Sequence, residues 1–383
     1  MNLKHITGAV FAAVALTVCA DTDWMVLPRW SSTGRTLMHN CRNSGVPIQL
    51  LLRWEKPVEG GKYRFLSVGN RMNDLRFAGV NERGLAVRFT GAGPFREARP
   101  PKSPENFNGH RGTLRLLSSC ATAQEGVEML RGAFERKLID GALLFFLVDR
   151  NHAYVVECAP GNFAAWELTN PFCVYANYWK LPGMDGSSMS SAKRIIPCCH
   201  REWSAREALR RAYEKSGTIS RADSFAVSRT NTHDINTDKR FDDTRGKRKA
   251  IDAPHNGHSL DSYLFEIDPE FGELSCVYVA YGPARYTVYL PIALGAAEEL
   301  PAALFAPEWI GGAFARRDAA KAADPVDPAI IKFEAKLLAD FDKAREAARQ
   351  RLYEDDAEGA RKILRECLTR QAGETVEFFK TLK

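Results

Sequence analysis

The chain has 383 residues, with 53 lysines and arginines against 47 aspartates and glutamates, for a net charge of +6. At 45% hydrophobic and 26% charged it can bury a sizeable core, which excludes a disordered or fibrous chain. The positive charge is dispersed apart from one dense run at Lys239 to Lys249, which reads as a solvated loop, so no nucleic-acid partner is expected.

The first element is not part of the fold. Met1 to Lys4 ends in a charge, Ile6 to Val18 is mostly apolar, and Val18-Cys19-Ala20 offers a small residue at the cleavage point, the layout of a secretory signal peptide. The apolar run is too short to span a bilayer, so no integral membrane span is expected and the protein is predicted to be secreted or periplasmic. Cleavage after Ala20 leaves a charge of +5 and eight cysteines. Their spacing shows no disulfide framework, and the vicinal Cys198-Cys199 pair reads as structural because no CxxC accompanies it.

Short apolar runs at Trp24 to Leu27 and Arg35 to His39, separated by Ser31-Ser32-Thr33-Gly34, predict a hairpin. Further strands are predicted at Pro47 to Trp54, Tyr63 to Val68, Leu75 to Val80 and Leu85 to Thr90, with Asn81-Glu82-Arg83-Gly84 as a tight turn between the last two. Pro94 to Gly109 reads as an exposed loop. Thr122, with Glu125 three residues on, opens a helix to Lys137. Strands return at Gly141 to Asp149, Ala153 to Cys158, Phe163 to Leu168 and Phe172 to Ala176. Helices follow at Ser188 to Ile196 and Ala205 to Lys215, and another begins at Asp223 to Val227. Asn231 to His258 reads as a long polar loop, followed by strands at Ser262 to Ile267, Ser275 to Ala280 and Thr287 to Leu290. From Pro328 onward, Ile330, Phe333, Leu337, Phe341, Ala344, Ala348 and Leu352 make one apolar stripe on a long helix. A second helix runs from about Asp356 with a break expected near Gly373, which completes a helical hairpin packed on the main domain. Strands grouped on either side of helices predict layered sheets rather than a doubly wound parallel sheet.

The chain has no GxSxG elbow, Walker loop, HExxH or CxxC pair. His255, His258 and Asp261 read as polar loop residues, so no metal is expected. Several segments do resemble one family. Thr22 to Leu27, Gly34 to His39 and Asn40-Cys41-Arg42-Asn43-Ser44 look like the opening strand, second strand and following short motif of N-terminal nucleophile hydrolases of the choloylglycine hydrolase and penicillin acyltransferase type. Ala78 to Ala86 resembles that family's glycine-asparagine hairpin, Val174 to Met184 its asparagine-to-LPGM segment, and Leu264 to Pro291 its closing strands.

The resemblance covers about residues 21 to 292 and implies an α+β fold, a four-layer αββα sandwich, here followed by a C-terminal helical hairpin. The expected division is a signal peptide at 1–20, an αββα domain at 21–310 and a helical extension at 311–383. The implied activity is hydrolysis or acyl transfer at a linear amide C–N bond of an acylated amino acid or small peptide-like conjugate, with no cofactor. The family's nucleophile is a first-residue cysteine whose own α-amine serves as its base. Counting back from Gly34 places that position on Asp21, which is not a nucleophile in this family, and leaves Cys19 two residues upstream as the alternative. Trimming to Thr22 would turn the side chain to the wrong face. The family arginine falls on Asn40 and the family aspartate on Asn43. Asn177 matches the family asparagine near the nucleophile, where a side-chain amide stabilises an oxyanion. The expected site is therefore Asp21 or Cys19 with Asn177, and Asn40, Asn43 and Asn81 around the substrate. The rival expectation is an inactive member that keeps the pocket for ligand binding.

Overall fold

The computed structural model describes residues 21–44, 50–58, 60–71, 74–93, 95–184, 192–237, 253–321 and 323–382. The predicted hairpin is β1 (Thr22–Val26) and β2 (Thr36–Asn43), antiparallel with Asp23 opposite Asn40 and Trp24 opposite His39. Gly34 has φ +65° at its turn, a conformation costly to any residue with a Cβ. The free edge of β1 pairs with β10 (Phe172–Ala176), and that of β2 with β11 (Ser259–Ile267). Next come β12 (Cys276–Tyr281) and β13 (Leu290–Ala293), giving a six-stranded sheet in the order β10-β1-β2-β11-β12-β13.

The second sheet is a seven-stranded meander in chain order. It comprises β3 (Leu50–Glu55), β4 (Phe65–Asn70), β5 (Leu75–Asn81), β6 (Ala86–Gly91), β7 (Leu143–Val148), β8 (Ala153–Ala159) and β9 (Asn162–Glu167). Its outer face is covered by α1 (Gly109–Ser119) and α2 (Ala123–Glu135). The six-stranded sheet is covered by α3 (Ala192–Ser216), α4 (Arg221–Arg229), and the C-terminal α7 (Pro328–Tyr353) and α8 (Ala357–Thr381). A short α5 (Thr232–Thr237) follows α4, and α6 (Pro307–Ala319) precedes the C-terminal pair. The inner faces meet through contacts such as the edge-to-face packing of Tyr175 on Phe146. The layers are thus helix, sheet, sheet, helix, the αββα arrangement.

Several elements differ from the sequence expectation. The loop expected up to Gly109 ends at the N-cap Asn108, and a helix that was not expected, α1, fills the stretch after it. The two helices predicted around Ala205 are one, running through Pro197; the stretch 188–191 lies outside the described residues. The predicted loop from Asn231 contains α5, and its basic run at 239–249 also lies outside the described residues. The last strand begins at Leu290 rather than Thr287, because Trp309 Nε1 donates to Thr287 Oγ1 (2.7 Å) and Arg229 to the Thr287 carbonyl (3.1 Å), fixing that residue outside the ladder. The boundary expected at 310 falls inside α6. Finally, α8 continues through Gly373 without a break.

The C-terminal pair is seated on charge as well as apolar surface. Arg229 makes a two-pronged pair with Glu334 of α7 (2.9 and 2.6 Å), both buried, and Glu334 Oε2 also accepts from the Tyr289 backbone N–H (2.7 Å). Arg345 pairs with Glu266 of β11, which accepts from Tyr278 as well (2.8 Å). Burial alone would raise the Glu266 pKa, but Arg345, then Arg221 and Arg35, outweigh it and hold it at about 2. Removing one member of such a pair strands a desolvated charge. Glu334→Ala should therefore cost about 3–5 kcal/mol of stability in denaturant titrations, and the volume-matched Arg229→Met/Glu334→Leu double variant less than either single change.

Candidate active site

The site follows from the pleat. Residues opposite one another in a ladder share a face, so Tyr175, Asp23, Asn40 and Tyr263 form one row across β10, β1, β2 and β11. Period-two alternation adds Asp21, just before β1, and Arg42 with Asp261 further along. This face looks onto the seven-stranded sheet, which contributes Arg88 and Thr90, themselves two apart on β6.

The contacts are dense. Arg88 pairs with Asp21 through Nη2 and with Asp23 through Nε (3.3 Å). Asp21 also accepts from Thr90 Oγ1 (3.1 Å) and from the Asn43 backbone N–H (3.3 Å). Asn40 Nδ2 donates to Asp23 Oδ1 (2.8 Å), and Arg42 makes a two-pronged pair with Asp261. Asn177, just beyond β10, donates Nδ2 to Thr90 Oγ1 (2.8 Å) and to the Gly91 carbonyl (3.1 Å). A single hydroxyl therefore separates Asn177 from Asp21. The structure places Asp21, Asn40 and Asn177 around this cluster, whereas Asn43 reaches it only through its backbone N–H: its side-chain amide donates to the Pro254 carbonyl (3.1 Å) and its Oδ1 accepts from Ser259 Oγ (2.5 Å) on the helix-facing side, since it lies one residue out of phase with Asn40 and Arg42. Cys19 lies outside the described residues. Asn81 is fully engaged in its turn instead: its amide donates to the Leu117 and Cys120 carbonyls and its Oδ1 accepts from the Arg83 and Leu85 N–H groups.

Asp23, Arg88, Thr90 and Tyr263 were not singled out in the sequence. The available signal was polar residues at alternate positions of otherwise apolar strands, Asp21 and Asp23 in one and Arg88 and Thr90 in the other.

Electrostatically, three buried carboxylates (Asp21, Asp23, Asp261) face two buried guanidiniums (Arg42, Arg88). Burial, with a further contribution from Asp21, raises the Asp23 pKa to about 7 against the opposing pull of Arg88 and Asn40. Burial likewise raises the Tyr263 pKa well above its ordinary value, so its hydroxyl keeps its proton. Five buried polar atoms in this region have no hydrogen-bond partner among the described residues: Asp23 Oδ2, Asn40 Oδ1, Asn177 Oδ1, Tyr263 Oη and Arg88 Nε, the last of which meets Asp23 only as an ion pair. Because the Gly91 carbonyl can only accept, the nitrogen of Asn177 must face it, and the open atom of Asn177 is its oxygen. The unused groups are mainly acceptors and suit a ligand bearing N–H.

The opposite face holds different chemistry. Cys41 and His39 point toward the helices, where Cys41 Sγ lies 3.2 Å from the Pro254 carbonyl and His39 Nε2 lies 2.8 Å from Ser262 Oγ. Burial, reinforced by Asp21 and Asp261, raises the Cys41 pKa, so this thiol stays protonated. Burial and then Arg229 lower the His39 pKa, leaving a neutral imidazole. His255 packs edge-on against Tyr286, and Asp261 is held by Arg42.

No family model and no curated protein matches the chain. Among solved structures it is similar to a conjugated bile acid hydrolase from Clostridium perfringens, at 12% identity and a TM-score of 0.45 over 72% of this chain and 92% of that one. It is also similar to penicillin V acylase from Agrobacterium tumefaciens (12%, TM-score 0.37, 71% and 86%). A third is the Caenorhabditis elegans ortholog of N-acylethanolamine-hydrolyzing acid amidase (11%, TM-score 0.39, 63% and 91%). All three are N-terminal nucleophile hydrolases.

The Asp23 carboxyl generates a pH prediction. Its folded pKa of about 7 lies above the ordinary 3.8, so between those values the folded chain holds a proton that the unfolded chain releases. This contribution to stability is full below the lower value and is lost as pH rises through about 7. Asp23→Asn keeps an oxygen for Asn40 and Arg88 while removing the titration. Denaturation midpoints measured from pH 4 to pH 8 should fall less steeply with pH in the variant than in the parent; parallel slopes would contradict the assignment.

Proposed function

We propose that this chain binds a small linear amide, an acylated amino acid or peptide-like conjugate, at the start of β1 between the two sheets. With Cys19 as first residue of the mature chain, it cleaves that amide or transfers its acyl group. The observation that carries the reading is the set of unpartnered polar atoms of Asp23, Asn40, Asn177 and Tyr263 gathered beside Asp21. These atoms match the donors and acceptors of an amide and its amine product.

In the reaction the Cys19 α-amine takes the thiol proton and the sulfur attacks the acyl carbon. The C–N bond breaks as that proton passes to the departing nitrogen, and the thioester is then resolved by water or a second amine. Asn40 and Asn177, through their open oxygens, accept N–H from the amine portion, and Tyr263 supplies a hydroxyl donor. A mature start at Cys19 and export are parts of this proposal. A second reading is binding without turnover, favoured by Asp21 itself: its carboxylate is held by Arg88, Thr90 and the Asn43 N–H, and a chain starting there has no thiol at its first position.

N-terminal sequencing of the secreted protein separates the two. A chain beginning at Cys19 should hydrolyse N-acyl amino acids and lose at least about 100-fold of that activity on Cys19→Ala or thiol alkylation. A chain beginning at Asp21 should bind the same compounds without turnover. Activity that survives Cys19→Ala unchanged would remove the thiol mechanism, and absence of both binding and turnover would remove the amide reading.

A further inference from the structure

Asp23, Asn40 and Tyr263 stand directly opposite one another on β1, β2 and β11, with about 4.5–5.5 Å between the Cβ atoms of neighbours. Each is at most 1% exposed. Each also has one polar atom without a hydrogen-bond partner among the described residues: Asp23 Oδ2, Asn40 Oδ1 and Tyr263 Oη. Buried polar atoms left this way are costly unless a ligand completes them.

The contacts already made define what is missing. Asn40 donates through Nδ2 to Asp23 Oδ1 (2.8 Å), so its open atom is the amide oxygen, an acceptor. Arg88 Nε lies 3.3 Å from the same Oδ1, so that oxygen carries the negative charge and any proton on this carboxyl sits on Oδ2. The charged and titratable groups around Asp23 are Asp21 just before its strand, Tyr175 on β10, Arg42 on β2, Tyr263 and Asp261 on β11, and Arg88 on β6. Burial, with Asp21 and against Arg88, keeps the proton on until about pH 7; above that Oδ2 only accepts. Tyr263 retains its proton and has it to donate. Across three neighbouring strands the open groups therefore read acceptor, acceptor, donor. Asn177, two residues beyond Tyr175 on the chain, lies one row away.

A primary carboxamide is the complement of that row. Its nitrogen carries two hydrogens, one for Asp23 and one for Asn40, and its carbonyl oxygen accepts from Tyr263. A secondary amide has a single N–H and leaves one buried acceptor open. A carboxylate sets oxygen against oxygen at both. We infer that Asp23, Asn40 and Tyr263 together select a primary carboxamide over N-substituted amides and over the corresponding acid. The place of the ligand rests on the function proposed above; the preference among ligands is a separate claim.

NMR titrations of the Cys19→Ala chain at pH 8, where Asp23 is ionised and no thiol can turn the ligands over, test it. Hexanamide is expected to bind saturably, N-methylhexanamide about tenfold more weakly, and hexanoate more weakly still. In Asp23→Asn the new amide must keep its oxygen toward Asn40 Nδ2, which places a donor where Oδ2 was. Hexanamide should then weaken about tenfold while hexanoate gains. Hexanamide binding should tighten from pH 6 to pH 8 in the parent and lose that dependence in Asp23→Asn. Tyr263→Phe should weaken hexanamide and N-methylhexanamide by the same factor, a second readout should Asp23→Asn fail to fold. Equal affinity for hexanamide and N-methylhexanamide, or no gain for hexanoate in Asp23→Asn, would overturn the carboxamide preference while N-acyl amino acids could still bind. Failure of every amide to bind would remove the preference and the amide site together.

Discussion

The guanidinium of Arg88 is the contact on which the arrangement of the two sheets turns. Apolar faces packed on one another tolerate sliding, since one Leu or Val contact substitutes for another at small cost. A buried arginine does not, because it must find its carboxylates or leave charges desolvated. Arg88 reaches from β6 to both Asp21 and Asp23 at the start of β1, so one sheet can sit on the other in only one register. The same contact defines the site. It holds Asp21 with Thr90, brings Asn177 within one hydroxyl of that carboxylate, and leaves the second oxygen of Asp23 without a partner among the described residues.

Much of this layout was legible in the chain because it was written in alternation. Strands such as Leu143–Val148 and Cys276–Tyr281 are short, apolar and bounded by turns, and the turn at Asn81 to Gly84 is as its composition implies, with Gly84 at φ +80°. Helix α1 was hidden by its glycines. A Cβ at Gly109 would lie 1.9 Å from the Phe89 ring and one at Gly112 2.7 Å from that of Phe145. Those glycines permit close approach of helix to sheet, whereas in a sequence they suggest loop. Asn40, Asn43 and Asn177 could be picked out because they sit in segments with a recognisable order. The partners of Asp21 could not, because Arg88 and Thr90 are 67 and 69 residues away and only the packing of two sheets joins them.

The C-terminal helices belong to the same logic of buried charge. Glu334 satisfies Arg229 and the Tyr289 N–H together, and Arg229 in turn caps the Ala284 and Thr287 carbonyls (2.9 and 3.1 Å). Tyr289 lies 3.2 Å from His39, and His39 shares Ser262 with the Asn40 backbone carbonyl. The hairpin therefore braces the outer face of the strand whose inner face carries Asn40, which makes it part of the support of the site rather than an appendage.

The pleat also narrows which side chain can act as nucleophile. Thr22 and Cys41 are cross-strand partners on the helix-facing side, so neither reaches the row of Asp23 and Asn40 without reversing the strand. Cys173 does face inward, but it stands opposite Met25, one step further along the strand, where burial raises its pKa to about 12 and keeps it a thiol. The inward positions at the start of β1 are carboxylates. Burial raises the Asp23 pKa to about 7, so this carboxyl retains a proton into the range near neutrality, which suits hydrogen bonding but supplies no strong nucleophile. The described side chains of this row therefore supply hydrogen bonds and charge rather than a nucleophile, which is why the proposed covalent chemistry turns on whether the mature chain carries Cys19.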